Sequence, residues 1–532
     1  MKNFLKTMGL TLLTLGQLLA PSTALAQDKV LNLSTGAEPP TIDPGLSSDT
    51  TSGVIIDNVF ENLTEMNNEG EVVPGAAESW EVSEDGLVYT FKLRSEAKWS
   101  NGDPVTAADF EYAWERILDP EKVAQRANLF YDIKGAEAYS LGEGSLEEVG
   151  IKAVDDLTFE VTLAHPVAYF PELINHYVFA PVNHKVVESN PDWAMEAGED
   201  YVSNGPFVLS SWNHNSDYTL SKNDQYWDKD QVKLDQVNVQ IVESESTAST
   251  MYQSGDLDYL GSPFGTISLE NLPVFQESGE LQKIPYSAIY WYKCNISDPV
   301  MSNVNIRKAL ALAIDRQGLI ENVMHGAHIP ATGLVPPTIP SFESERDYFK
   351  DGDLEQAKAY LAKGLEELGM KDPAELIINL SINTSEAHAT IAQYVQENWA
   401  RNLGINTQID NSEWQVYLDK VESLDYQVAR MGWAADYNDA SSFLGMYRTS
   451  QTGNNDTGWE NPDFKAKLDE ANSESDGDKR NQLLHEAEAI IMEEMPVIPI
   501  YYNENNYVLK DTVKGMRPDP IGRIHLKYVS IE

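Results

Sequence analysis

The chain holds one cysteine, Cys294, in 532 residues, so it has neither an intrachain disulfide framework nor a cysteine metal cluster. Basic residues are scarce: Lys and Arg number 38 against 84 Asp and Glu, a formal net charge of −46. That balance argues against nucleic acid and anionic membrane surfaces as partners, because both attract basic faces. It implies self-repulsion that salt screens, and it suggests a saline habitat. Beyond the N-terminal run, no apolar stretch is long enough to span a bilayer. Neither a GxxxxGK phosphate loop nor a GxSxG nucleophile elbow occurs. His325 and His328 stand three apart, but Gly326 interrupts a helix between them and no clear carboxylate partner accompanies them, so no metal site is assigned. Acids are so frequent that no pair of them marks a hydrolase. No repeat, low-complexity tract or long linker is visible.

The N-terminus reads as an export signal. Lys2 and Lys6 precede an apolar run over residues 8–20, and Ala24-Leu25-Ala26 is a small-x-small cleavage site before Gln27. No cysteine lies beside that site to take a lipid anchor. The expectation is a soluble exported protein of a Gram-negative periplasm.

A chain of this length exceeds one core and predicts two or three domains. Leu87, Tyr89, Phe91 and Leu93 alternate as in a strand, and residues 159–163, 237–241 and 256–259 predict further strands. Thr106 with Asp109 three residues on reads as a helix cap, before a stripe of Phe110, Ala113, Trp114 and Ile117. Downstream, helices are expected over 244–255, 305–324, 354–368, 388–403, 413–421 and much of 463–494. Strands are expected over 377–382, 405–409, 426–431 and 496–502. Such alternation indicates α/β architecture.

The rest is organised around residues 428–444, VARMGWAADYNDASSFL. A short apolar strand, interrupted by Arg430, leads into Gly432, Trp433, Ala434 and Ala435, small residues that allow close approach beside a large aromatic. Asp436 follows directly. A carboxylate leaving a buried strand is tolerable only where a cation or several donors meet it, although an isolated loop aspartate more often caps its own turn. Ser441 and Ser442 read as helix caps.

This stretch closely resembles the ligand-anchoring loop of the periplasmic oligopeptide-binding proteins of ABC importers, and the resemblance runs along nearly the whole mature chain. Residues 77–117 resemble the signature of the same solute-binding family. The resemblance implies a type II periplasmic binding protein: two lobes with a hinge, plus an additional domain. It implies a signal peptide over 1–26, domain I over 27–60, 186–287 and 505–532, domain II over 61–185, and domain III over 288–504. Peptide would lie between the lobes, be recognised mainly through its backbone by strand addition, and be delivered by a monomer to a permease with its ATPase. No cofactor is implied.

Residue by residue, the resemblance implies that Asp436 binds the peptide's α-ammonium group and faces a wet cleft when the site is empty. Gly432, Trp433 and Ala434 would wall that group. Arg430 and His388 would meet the carboxylate, with Asn383 and Trp414 also at the ligand. The edge strand that pairs with peptide would fall at residues 47–50, giving Ser48, Asp49 and Thr50, with Ser48 where the family has Glu. Arg126 stands where the family has a Tyr wall, which favours acidic ligand side chains. Met324 stands where the family has a Lys used for short peptides. Ala434 and Ala288 occupy positions that relatives often fill with a cysteine pair. A narrower ligand in the same fold (a dipeptide, a murein peptide, a nickel or haem complex) is the alternative, and a peptidase the more distant one.

Overall fold

The alternating residues 87–93 form the strand Val88–Leu93, which buries Tyr89, Phe91 and Leu93. It sits in a four-stranded antiparallel sheet, in the order Ala77–Val82, Val88–Leu93, Thr158–Thr162, Ile151–Asp155. The helix Ala107–Leu118 buries the predicted stripe. Its cap is the expected one: the Asp109 carboxylate accepts from the Thr106 backbone N–H at 2.9 Å and from its hydroxyl at 3.0 Å. A second sheet runs Val30–Thr35, Gln236–Ile241, Asp217–Lys222, Phe207–Asn213, its first pair parallel. Both sheets feed one apolar core, drawn mainly from Leu31 to Phe264 and from Tyr507 to Val529. The computed structural model that gives these elements describes residues 29–122, 124–339, 342, 347–450, 454–474 and 476–532, so the export-signal reading of 1–26 lies outside it.

A second core, mainly Ile289 to Tyr502, surrounds the largest sheet. Its strand order is Tyr259–Gly261, Val497–Leu509, Gln282–Cys294, Val428–Ala434, Ile377–Asn383, Asn406–Ser412, with Ile329–Pro330 paired to Val497–Leu509. The two long strands, Gln282–Cys294 and Val497–Leu509, serve both cores: Ile284 and Tyr507 pack in the first, Ile289 and Ile498 in the second. Their ladder breaks between Pro285 and Ile289, where Ser287 instead donates its N–H to Pro520. The interruption therefore lies where both strands pass from one core to the other, as a hinge between lobes requires.

Four expectations need correction. The helix expected over 305–324 is two, Val304–Leu312 and Arg316–Asn322. Asp315 caps the second through Gly318 N–H, and the buried Arg316 guanidinium takes the carbonyls of Ala311 and Ile314, which ends the first. The strand expected at 496–502 runs on to Leu509, and the one at 256–259 arrives as Tyr259–Gly261. No strand forms at 47–50: Asp49 has extended backbone but caps the helix Thr50–Val59, its carboxylate accepting from Thr51 and Ser52 N–H.

Candidate functional site

The strand Val428–Ala434 lies between two partners, antiparallel to Gln282–Cys294 and parallel to Ile377–Asn383. Val428 and Ala429 are buried, as the apolar start of the stretch predicts; from Arg430 onward each residue is half-buried, because the strand emerges into a cavity of about 490 Å³. Residues of both cores line this cavity. Gly432 is explained by its neighbour rather than by a ligand: a Cβ there would stand 3.0 Å from the Ile289 carbonyl oxygen. Ala434 is the cross-strand partner of Ala288, so these two positions meet as small residues. Cys294 is fully buried further along, and burial pushes its thiol up to about 12.

Asp436 does not face a wet cleft. It is 5% exposed, and its carboxylate meets the Arg126 guanidinium in an ion pair and His176 Nε2 at 3.2 Å. Burial raises its pKa, but Arg126 and His176 outweigh that and hold the carboxyl below the usual carboxylate range. Burial drives His176 the other way, down to about 3, so its ring is neutral. Its Nδ1 accepts from Val178 N–H at 3.3 Å, which assigns the proton to Nε2, facing Asp436. The backbone of Asp436 is fixed as well: its N–H donates to the Ser442 hydroxyl at 2.8 Å, and its carbonyl accepts from Arg523 at 3.1 Å. Ser442 thus holds the anchor loop rather than capping a helix, and the helix Ser441–Leu444 has no side-chain cap. The Arg126 guanidinium also lies 4.7 Å from the centre of the Trp433 ring, so that tryptophan covers the ion pair.

At the other end of the strand the electrostatics differ. Arg430 rests 4.7 Å over the Tyr290 ring, and its Nη1 donates to Asn383 Oδ1 at 3.3 Å. Among the described residues it forms no ion pair, and its buried Nε has no acceptor. His388 is near, with Nδ1 3.5 Å from the Tyr290 hydroxyl, but burial and Arg430 hold its pKa well below the usual histidine value. It is therefore neutral, and the expected second cation at this end is absent; nor does it cap its helix, a task Ser385 performs. Trp414 lines the cavity and stacks on Tyr417, whose hydroxyl donates to the Arg430 carbonyl and so braces the strand.

All twelve residues expected at the ligand line this one cavity: Ser48, Asp49, Thr50, Arg126, Asn383, His388, Trp414, Arg430, Gly432, Trp433, Ala434 and Asp436. Met324 lines it too, whereas the exposed His325 does not; His328 does, stacked on Tyr501 and accepting from Glu504 N–H. The sequence reading missed His176, Arg523, Ser442 and Tyr290. Only Ser442 lay in a stretch already singled out; Tyr290 faces that stretch as the cross-strand partner of Gly432, and His176 and Arg523 are brought to Asp436 by long-range folding with no local pattern to announce them. What the geometry offers is one cavity lined both by the Asp436 carboxylate, paired with Arg126, and by the Arg430 guanidinium, which has no ion-pair partner among the described residues.

Residues 71–455 match the family described as bacterial extracellular solute-binding proteins, family 5, middle region. The chain is 47% identical to the oligopeptide-binding protein OppA of Bacillus subtilis over 499 residues, which is 93% of this chain and 92% of the relative. It superposes with a TM-score of 0.90 on Haemophilus influenzae OppA in complex with RPPGFSPFR, at 31% identity, covering 95% of this chain and 99% of that one. The Escherichia coli murein tripeptide-binding protein MppA gives 0.89 at 30% identity, covering 96% and 99%. The unliganded open form of MppA gives only 0.63 at the same identity, covering 95% and 98%.

Proposed function

Because the chain belongs to the bacterial extracellular solute-binding proteins of family 5, we propose that it captures short peptides for an ABC importer. Peptide would lie in the cavity between the lobes, its ammonium group at Asp436 and its carboxylate at Arg430. One observation carries this reading: a single stretch of chain presents both charges to one chamber, six residues apart. Extended chain rises ~3.3 Å per residue, which sets those Cα atoms at most about 20 Å apart, the span of a few extended peptide residues. The cavity volume of about 490 Å³ is in the range of small-ligand sites.

The likeness to the peptide complex, against the lower score for an unliganded open form, supports reading the present conformation as a closed one. The two cores support a lobe of domains I (27–60, 186–287, 505–532) and II (61–185) closing on domain III (288–504). Backbone pairing at residues 47–49 remains part of the proposal, since Asp49 is extended before the helix begins. The protein would act as a periplasmic monomer released by cleavage after residue 26, and would hand its cargo to a permease and ATPase. The family and the relatives are binding proteins, and binding without turnover is the activity proposed. Mass spectrometry of material co-purified without refolding tests it. A mixed population of short peptides is expected; one defined non-peptide ligand would overturn the reading.

A further inference from the structure

The ion pair at the anchor raises a question of charge. With Arg126 beside it and His176 neutral, Asp436 is compensated before any ligand arrives. An ammonium group added there brings a second cation to one carboxylate, in a place where both side chains are 5% exposed. Such a group is costly to desolvate without a further anion. The protein offers little to supply it. Asp49 acts on Arg126 electrostatically, but its oxygens are engaged by Thr51 N–H, Ser52 N–H and the Ser52 hydroxyl, and burial raises its pKa. Arg126 meanwhile has donors to spare. Its Nε is buried without an acceptor, and its Nη1 reaches only the Asn454 side-chain oxygen, at 3.4 Å.

A ligand resolves both deficits when the carboxylate arrives with the ammonium. In a peptide whose first residue is Asp or Glu, the two groups are separated by three or four bonds. The amine then replaces Arg126 as the partner of Asp436, and the side chain takes the guanidinium that the amine displaces. We propose that Arg126 is a specificity-determining residue that selects peptides with an acidic first residue. This rests on the peptide reading of the cavity.

Calorimetry with Asp-Ala-Ala-Ala, Asn-Ala-Ala-Ala and Lys-Ala-Ala-Ala tests it on wild type, Arg126→Gln and Arg126→Lys. Wild type should favour the Asp peptide over its Asn isostere by roughly tenfold or more, the difference between a charge-assisted and a neutral hydrogen bond, with the Lys peptide weakest. Arg126→Gln should bring the Asp/Asn ratio close to one, and Arg126→Lys should retain part of it. Equal binding of the Asp and Asn peptides by wild type overturns the proposal even if a variant fails to fold. A preference that survives unchanged in Arg126→Gln also overturns it while leaving peptide capture intact. Binding of none of the three peptides by wild type overturns the peptide reading and this proposal with it.

Discussion

Replacing Arg430 by Gln tests how the far end of the chamber reads a ligand. Three arginines and no lysine are among the described residues that line the cavity. Arg126 is paired with the Asp436 side chain, and Arg523 donates to the Asp436 carbonyl and to Asn175. Neither Arg523 nor Arg430 forms an ion pair among the described residues, but Arg523 is held at the Asp436 end by that carbonyl, whereas Arg430 lies up to about 20 Å along the chain from Asp436. His388 beside it is neutral, and Met324 carries no charge, so among the described residues Arg430 is the cation at that end available to a peptide carboxylate. A hydrogen bond to a charged group is worth about 1.5–3 kcal/mol, so Arg430→Gln should weaken a tetra- or pentapeptide by roughly tenfold to a hundredfold. A tripeptide covers at most about 11 Å when extended, little more than half of that upper limit, so on this reading it reaches only one of the two charges. It should bind wild type more weakly than the longer peptides and lose little on substitution. Calorimetry of a tri-, tetra- and pentapeptide series on both proteins gives the answer. Tightest binding of the tripeptide, or equal losses at every length, would refute the reasoning.

Two further outcomes follow from the buried groups. His176 has its pKa lowered to about 3 in the folded chain, against about 6.5 unfolded. Between those values the unfolded state binds more protons, so this residue lowers stability as pH falls below 6.5. From pH 7 to pH 5 wild type should lose about 2 kcal/mol more than His176→Asn in urea titrations; parallel pH profiles would contradict a buried neutral ring. Cys294, with its thiol pushed up to about 12, should resist thiol reagents at pH 8 until denaturant is added, and fast labelling of the native protein would show the site to be open.

Where local pattern determines structure, the sequence was enough. The period-two run at Tyr89, Phe91 and Leu93 is a strand, and Thr106 with Asp109 is a cap, because both depend on neighbours a few residues away. The ligand-lining residues were legible through a long motif rather than through physics: nothing in the composition marks Asp436 among so many acids. What stayed hidden is long-range. Arg126 and Asp436 are 310 positions apart, and the pairing that overturns the wet-cleft expectation arises only when the two cores approach. The same holds for His176. The split of the helix over 305–324 was a local signal overlooked, since Asp315 stands three residues before Gly318 as an N-cap does. The missing strand at 47–50 was local too, for an aspartate just before Thr51 and Ser52 is a helix start.

The central claim is that Asp436 anchors a peptide's ammonium group, and one calorimetric comparison addresses it: a tetrapeptide with a free and with an acetylated amine, on wild type and on Asp436→Ala. Removing one partner of a buried charge pair is worth about 3–5 kcal/mol, so wild type should bind the free peptide roughly a hundredfold to several thousandfold more tightly than the variant does. Acetylation should impair binding to wild type severely and to Asp436→Ala hardly at all. Small-angle scattering of the empty variant should show a more open chain, because without Asp436 closure leaves Arg126 buried and unpaired. If Asp436→Ala holds the free peptide as tightly as wild type, the ammonium site lies elsewhere and the account is wrong.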